Sequence, residues 1–286
     1  MTERLNVLGL AKTYPEFALG PLTFDLPAGY IMGLIGPNGA GKTTTLRLLL
    51  DMAQPSAGEF TLNGAQTADA RQQARDDLGA MLDSTTLPDV WTVKDIDDNM
   101  HRLFRRWDSQ QFMELVAQFD INPKTMYRRL SKGTQNKVNL AVALSHHAKL
   151  LILDEPMAGL DPIARDELRQ LLQAYIQAGD ASVLLSSHLT DDLAQFADYL
   201  LYLIHGEQRF FGETDTLLNR YLLVQGGSSE LTAALEDHGL GLRQTSVGFS
   251  LLLPTTDQAL AAGLVTSTPD LDTLMIYLGK RGEDHA

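Results

Sequence analysis

The sequence predicts an α/β fold: a mostly parallel sheet covered by helices, with a helical insertion and a small C-terminal α+β appendage. Three observations predict it. Short apolar runs of strand length alternate with helix-periodic segments over roughly the first 215 residues, the pattern of a parallel sheet covered on both faces. The stretch Pro88–His147 is helical in pattern with no strand inside it. Beyond Tyr221 the texture changes to a shorter mixed segment.

Each element follows from its local pattern. Tyr30–Ile35 is a compact apolar run ending in a Gly-rich turn, and Thr43–Met52 after it is helix-like. Lys149–Leu153, followed by Asp154, is a second buried strand. Ile163–Ala178 places Leu168, Leu171, Leu172, Tyr175 and Ile176 at helical spacing. Ser182–Ser186 is a third buried strand, and Thr190–Ala197 a short helix capped by Thr190 with Leu193 and Phe196 facing inward. Tyr199–Ile204 and Gln208–Phe211 flank His205-Gly206-Glu207 as a hairpin. Gln225-Gly226-Gly227-Ser228-Ser229 reads as a linker, followed by alternation over Leu240–Leu253 and a helix near Leu271–Leu278. The expected division is residues 1–220, with the insertion at about 84–147, and an accessory domain over 221–286.

Composition narrows the function. With 286 residues, 44% hydrophobic and 21% charged, the chain is globular in type. It carries 23 Lys+Arg against 36 Asp+Glu, a net charge of −13, and a pI near 4.9. Such acidity repels phosphate backbones, so no nucleic-acid partner is expected. The basic clusters Arg102, Arg105, Arg106 and Arg128, Arg129, Lys132 are small. The absence of cysteine excludes disulfides and Cys-ligated metal or iron–sulfur sites. The N-terminus lacks the apolar stretch of a secretory signal, and no run approaches the ~18 apolar residues of a membrane span. A cytoplasmic protein without direct membrane insertion is expected, able to dock onto a membrane protein.

Gly36-Pro37-Asn38-Gly39-Ala40-Gly41-Lys42-Thr43 fits G-x-x-x-x-G-K-[ST] between a strand-like and a helix-like run. Glycines let consecutive N–H groups point into one concavity, and the following helix N-terminus adds positive partial charge. Gly36, Asn38, Gly39, Gly41 and Thr44 would cradle a nucleoside triphosphate, Lys42 would bridge its β- and γ-phosphates, and Thr43 would ligate Mg²⁺. A glycine turn before an amphipathic helix is the plainer alternative.

Leu150-Leu151-Ile152-Leu153-Asp154-Glu155 is an apolar strand ending in two acids. Successive strand residues face opposite sides, so the two cannot share one task. Asp154 suits the Mg²⁺ shell, and Glu155 suits an attacking water at the γ-phosphate. The plainer reading is a charged strand end entering a loop.

With Leu130-Ser131-Lys132-Gly133-Thr134-Gln135 before a helix and Ser187-His188 after the third strand, the chain resembles, over about residues 3–220, the ATP-binding subunit of an ABC transporter. The Leu-Ser-x-Gly segment is the family-specific part. The resemblance implies a P-loop NTPase core with an N-terminal antiparallel β subdomain. It also implies a dimer, with itself or a similar subunit, in which each ATP lies between one P-loop and the other subunit's Ser131 and Gly133. An ordinary Ser N-cap is the competing reading of Ser131. By the same resemblance His188 contacts the γ-phosphate, Asp161 belongs to a loop touching the opposite subunit, and Tyr14 stacks on adenine. A structural histidine and a strand-edge tyrosine are the corresponding plain alternatives.

Two positions depart from the family. Lys132-Gly133-Thr134 stands where Gly-Gly-Gln is usual, and Asp83 stands where a glutamine usually meets metal and water. Asp83 can bind Mg²⁺ but cannot donate as an amide does. Both departures lean toward exporter-type members encoded separately from their permease. A transmembrane permease partner is implied, docking near Asp83–Trp91 with Leu87, Val90 and Trp91 as apolar anchors. The competing functions are a soluble non-transport ATPase of the same family, an unrelated P-loop kinase or GTPase, and a regulatory ATP-binding partner of a membrane sensor.

Overall fold

The computed structural model describes residues 3–73, 75–82, 87–179, 181–188 and 190–279. The chain divides into two compact units, Met1–His188 with Leu201–Arg209, and Leu189–Leu200 with Phe210–Ala286. The boundary expected at 220 falls inside the second of these.

The first unit opens with β1 (Glu3–Thr13), β2 (Ala18–Pro27) and β3 (Ile31–Ile35). It continues through α1 (Lys42–Leu49), β4 (Ala57–Leu62), α2 (Ala68–Gln73) and β5 (Leu78–Met81). The insertion supplies α3 (Val93–Leu103), α4 (Ser109–Gln118) and α5 (Lys132–Leu144). Then follow β6 (Leu150–Asp154), α6 (Pro162–Gln177) and β7 (Ser182–Ser187), and the strands β8 (Tyr199–Ile204) and β9 (Glu207–Glu213), of which residues 201–204 and 207–209 belong to this unit.

Two sheets result. One is antiparallel, ordered β2-β1-β4. It buries Leu5, Val7, Leu22, Phe24 and Phe60 on one face and leaves alternate residues wetter. The other has six strands ordered β5-β6-β7-β3-β8-β9, with β5–β6, β6–β7 and β7–β3 parallel. Every residue of β3, β6 and β7 is buried, and each strand has an apolar core, with serines flanking that of β7 and Asp154 closing β6. The β8–β9 hairpin turns at His205 (φ 49°) and Gly206 (φ 80°), the double positive φ of a type I′ turn.

In the insertion, the Thr92 hydroxyl accepts the Asp95 N–H at 3.1 Å while the Asp95 carboxylate accepts the Thr92 N–H at 2.8 Å. This reciprocal cap starts α3. Beyond the end of α5, His146 is buried, stacked on Phe104 at 4.3 Å. Its ring nitrogens lie 3.1 and 3.2 Å from the carbonyls of Val142 and Leu78. Burial pushes its pKa down, against these carbonyls. With the folded pKa below the unfolded value of about 6.5, the unfolded chain takes up the proton more readily than the native chain as pH falls through that value. Stability should therefore fall on acidification from pH 7.5 to 5.5. His146→Gln should flatten that fall, read from denaturation midpoints at the two pH values.

The second unit holds α7 (Thr190–Ala194), α8 (Thr214–Leu218), β10 (Tyr221–Gly226), α9 (Ala233–His238), β11 (Leu240–Gln244), β12 (Phe249–Pro254), β13 (Val265–Ser267) and α10 (Leu271–Gly279). Its antiparallel sheet runs β11-β12-β10-β13 around a core of Val224, Leu235, Phe249, Leu251, Leu253 and Ala261. Two expectations are corrected here. The linker at 225–229 is ordered structure: Gln225 and Gly226 end β10, and the Glu230 carboxylate accepts the Gly227 N–H at 2.6 Å to close the next turn. Glycine and serine serve packing there, which composition alone cannot distinguish from flexibility. Thr190 is a helical residue of α7, and its hydroxyl bonds the Asp272 carboxylate of α10.

Candidate functional site

The neighbouring strands β6, β7 and β3 each release a loop at the carboxyl end, where ligands collect in sheets of this kind. The three loops meet at a cavity of about 710 Å³. Its lining comprises Phe17, the loop Pro37–Thr44, Asp154, Glu155, Ala158 and His188.

The phosphate loop keeps its shape through two glycines. A Cβ on Gly36 would stand 2.3 Å from the Leu203 carbonyl, so only glycine lets the chain leave β3 so close to β8. Gly41, at φ 104°, caps α1 and offers no side-chain acceptor. The first-turn N–H groups of α1 are therefore left for a ligand. Lys42 is buried, and its Nζ donates to the Gly36 carbonyl at 2.7 Å and the Pro37 carbonyl at 3.4 Å. Burial pushes the ammonium pKa down, while Glu155 and Asp154 pull it back up. These carboxylates keep the buried cation at the place where phosphate would lie.

The acidic pair is divided by backbone geometry, which replaces the alternation expected from the sequence. Asp154 is the last residue of β6, and Glu155 lies beyond the strand at φ 49°. Thr43 Oγ1 donates to Asp154 Oδ2 at 3.0 Å, and Ser186 Oγ donates to Asp154 Oδ1 at 2.6 Å. The Glu155 N–H donates to Ser186 Oγ at 2.9 Å, and its carbonyl accepts the Ala158 N–H at 3.0 Å. Glu155 Oε2 lies 2.7 Å from His188 Nδ1 and accepts the His188 N–H at 3.3 Å. A carboxylate and an imidazole at the cavity wall can hold and polarise a water.

Thr43 Oγ1 and Asp154 Oδ2 are two adjacent hard oxygens, a donor set that fits Mg²⁺. No group of three or more His, Cys, Asp or Glu that could hold a metal occurs among the described residues. Asp83, the other expected metal ligand, lies outside the described residues.

Five expected ligand residues stand outside the cavity lining. One is Gly36, whose carbonyl accepts from Lys42. Ser131 caps α5, accepting the Thr134 N–H at 3.2 Å, with its hydroxyl 2.8 Å from that of Thr134. Gly133 is the second residue of the same helix, and a Cβ there would meet the Gly159 carbonyl at 3.4 Å. Asp161 caps α6, accepting the N–H groups of Ile163 and Ala164 at 3.0 Å, and the Ala164 N–H above all holds its carboxyl below the usual range. Tyr14 is 40% exposed beneath the Lys12 ammonium, 5.3 Å from the ring centroid. The Tyr14 N–H donates to the Phe17 carbonyl at 2.8 Å. That tight turn brings Phe17, not Tyr14, into the lining, where its ring would stand 3.2 Å from a Cβ on Gly41.

Phe17 and Ser186 were not foreseen, while Ala158 opens the Ala158–Asp161 loop that the family resemblance sets beside Glu155. The one available signal was Ser186, a hydroxyl at the end of an apolar strand, which the parallel register sets opposite Asp154.

A family model described as ABC transporter matches residues 19–158. The Nod factor export ATP-binding protein I of Rhizobium leguminosarum bv. viciae is 32% identical over 226 residues, covering 76% of this chain and 72% of the relative. The ABC transporter ATP-binding protein YtrB of Bacillus subtilis (strain 168) is 25% identical over 242 residues, covering 84% and 82%. Among solved structures, an ATP-binding subunit of an ABC transporter superposes with TM-score 0.69 at 26% identity, covering 74% of this chain and 91% of that one.

Proposed function

Since the chain belongs to the ATP-binding subunits of ABC transporters, ATPases coupled to transport through transmembrane permease components, we propose that two such subunits close around two MgATP and drive export of a small molecule. One observation carries this reading. Lys42, Thr43, Asp154, Glu155 and His188 converge on one cavity, while Ser131 and Gly133 stand outside its lining. A second phosphate-binding segment unused in its own subunit has a use across a dimer.

In this reading the N–H groups of the loop and Lys42 bind the phosphates, Lys42 exchanging the Gly36 carbonyl for phosphate oxygens. Thr43 and Asp154 hold Mg²⁺, which when bound neutralises phosphate charge. Glu155 orients water in line with the γ-phosphate, and His188 fixes the Glu155 carboxylate and faces the same phosphoryl group. The partner's signature segment adds contacts that exist only in the closed pair, so nucleotide favours closure. Asp161 and its loop lie beside the opposing subunit. Phe17 takes the adenine side of the cavity, with Tyr14 flanking it.

The permease has two apolar features to engage. Val90 is 67% exposed, with Leu87 and Trp91 half-buried beside it in sequence. A groove of about 400 Å³ is lined by Leu50, Met52, Leu78, Leu82 and Phe104. No helix among the described residues is long and apolar enough to cross a membrane, so attachment to the inner face of the membrane runs through the permease. Residues 1–220 form the ATPase domain in this scheme and 221–286 an accessory one. The export direction draws support from the relative named for Nod factor export.

Complementation tests the dimer. A Lys42→Ala copy and a Ser131→Arg copy should each be inactive alone, whereas their mixture should regain ATPase activity. One pocket of the mixed pair then combines an intact phosphate loop with an intact signature. Mixtures that stay inactive, together with a wild-type enzyme that hydrolyses ATP as a strict monomer in sedimentation, would refute it.

A further inference from the structure

We infer that Ser186 is a positioning residue for hydrolysis, one hydroxyl that fixes both the metal-site aspartate and the water-site glutamate. The inference rests on the roles proposed above for Asp154 and Glu155.

The geometry leaves the hydroxyl no other occupation. Ser186 is fully buried on β7, and the parallel register places it opposite Asp154. A serine hydroxyl carries one proton and accepts through its lone pairs. The proton goes to Asp154 Oδ1 at 2.6 Å, and the oxygen accepts the Glu155 N–H at 2.9 Å. The two acids are thus tied to one atom on the neighbouring strand.

Each tie has a consequence. Asp154 is held from two sides, by Ser186 on Oδ1 and by Thr43 on Oδ2. Thr43 can turn a lone pair toward a metal and still donate its proton to Oδ2, while Ser186 holds Oδ1 from the side away from the metal, so the two hydroxyls together fix the carboxylate plane. Glu155 is held in the left-handed region at φ 49°, a conformation that side chains other than glycine adopt at a cost. Its N–H is anchored on Ser186 and its carbonyl on Ala158, which together offset that cost. The same backbone twist carries the Glu155 side chain away from Asp154 to His188 Nδ1, 2.7 Å distant. Without the hydroxyl, the Glu155 N–H and the Asp154 carboxylate each lose a partner inside the protein, and both acids gain freedom at once.

The test compares Ser186→Ala and Ser186→Thr in the full chain. Four readouts are taken: kcat, the Mg²⁺ concentration for half-maximal rate, binding of a fluorescent ATP analogue without Mg²⁺, and melting of the ligand-free protein. Ser186→Ala should lower kcat roughly 30- to 100-fold, since misplacement by about 1 Å costs that much. It should also raise the Mg²⁺ requirement, with metal-free nucleotide affinity close to wild type and melting lowered by only about 2–10 °C, a loss too small to account for the fall in rate. Ser186→Thr retains the hydroxyl and should restore most of kcat. A wild-type kcat and Mg²⁺ response in Ser186→Ala overturns the inference. So does a parallel loss of rate, affinity and melting temperature that threonine does not rescue, because that pattern marks a merely structural serine. Glu155→Gln separates the two levels. If it hydrolyses ATP normally, the site assignment itself fails; if it is inactive while Ser186→Ala is normal, only the serine inference fails.

Discussion

Glu155→Gln should bind ATP as the wild type does and lose turnover by roughly 10²- to 10⁴-fold, the usual contribution of a positioned general base. The amide keeps the shape of the carboxylate and can still accept the His188 N–H, now 3.3 Å from Oε2. It cannot take a proton from water. The closed, nucleotide-bound pair should therefore accumulate and elute as a dimer in size-exclusion chromatography with ATP and Mg²⁺. Normal turnover by this variant would remove Glu155 from the chemistry.

Lys42→Ala should act one step earlier, on binding. A hydrogen bond to a charged partner contributes about 1.5–3 kcal/mol, so the nucleotide Kd should rise roughly 10- to 150-fold. The ligand-free protein should melt within about 4 °C of wild type. Lys42 is buried and its charge is disfavoured there, while its own bonds are to two loop carbonyls that can turn to water. Titration calorimetry and a thermal melt without nucleotide separate the two effects. Unchanged affinity would place the phosphates elsewhere.

The buried parallel strands were legible because every residue of β3, β6 and β7 faces protein, which leaves apolar cores such as Leu150–Leu153 and Val183–Leu185 in the sequence. The antiparallel strands β1, β2 and β4 were not legible residue by residue. They bury one face and are broken by register shifts such as that between Leu8 and Ala11, so their alternation is blurred, and only the family resemblance anticipated them. The phosphate loop and the Asp154–Glu155 pair could be read as local motifs. Phe17 could not, because its place in the cavity comes from a turn that brings a hairpin tip over Gly41. The difference between Asp154 and Glu155 was anticipated for the wrong reason, since a positive φ after the strand achieves what pleating would have done.

The start of the signature helix lies against the loop that follows Glu155: a Cβ on Gly133 would stand in ordinary van der Waals contact, 3.4 Å, with the Gly159 carbonyl. In a closed pair, the segment reading a partner's triphosphate is thus in touch with the subunit's own water-activating loop.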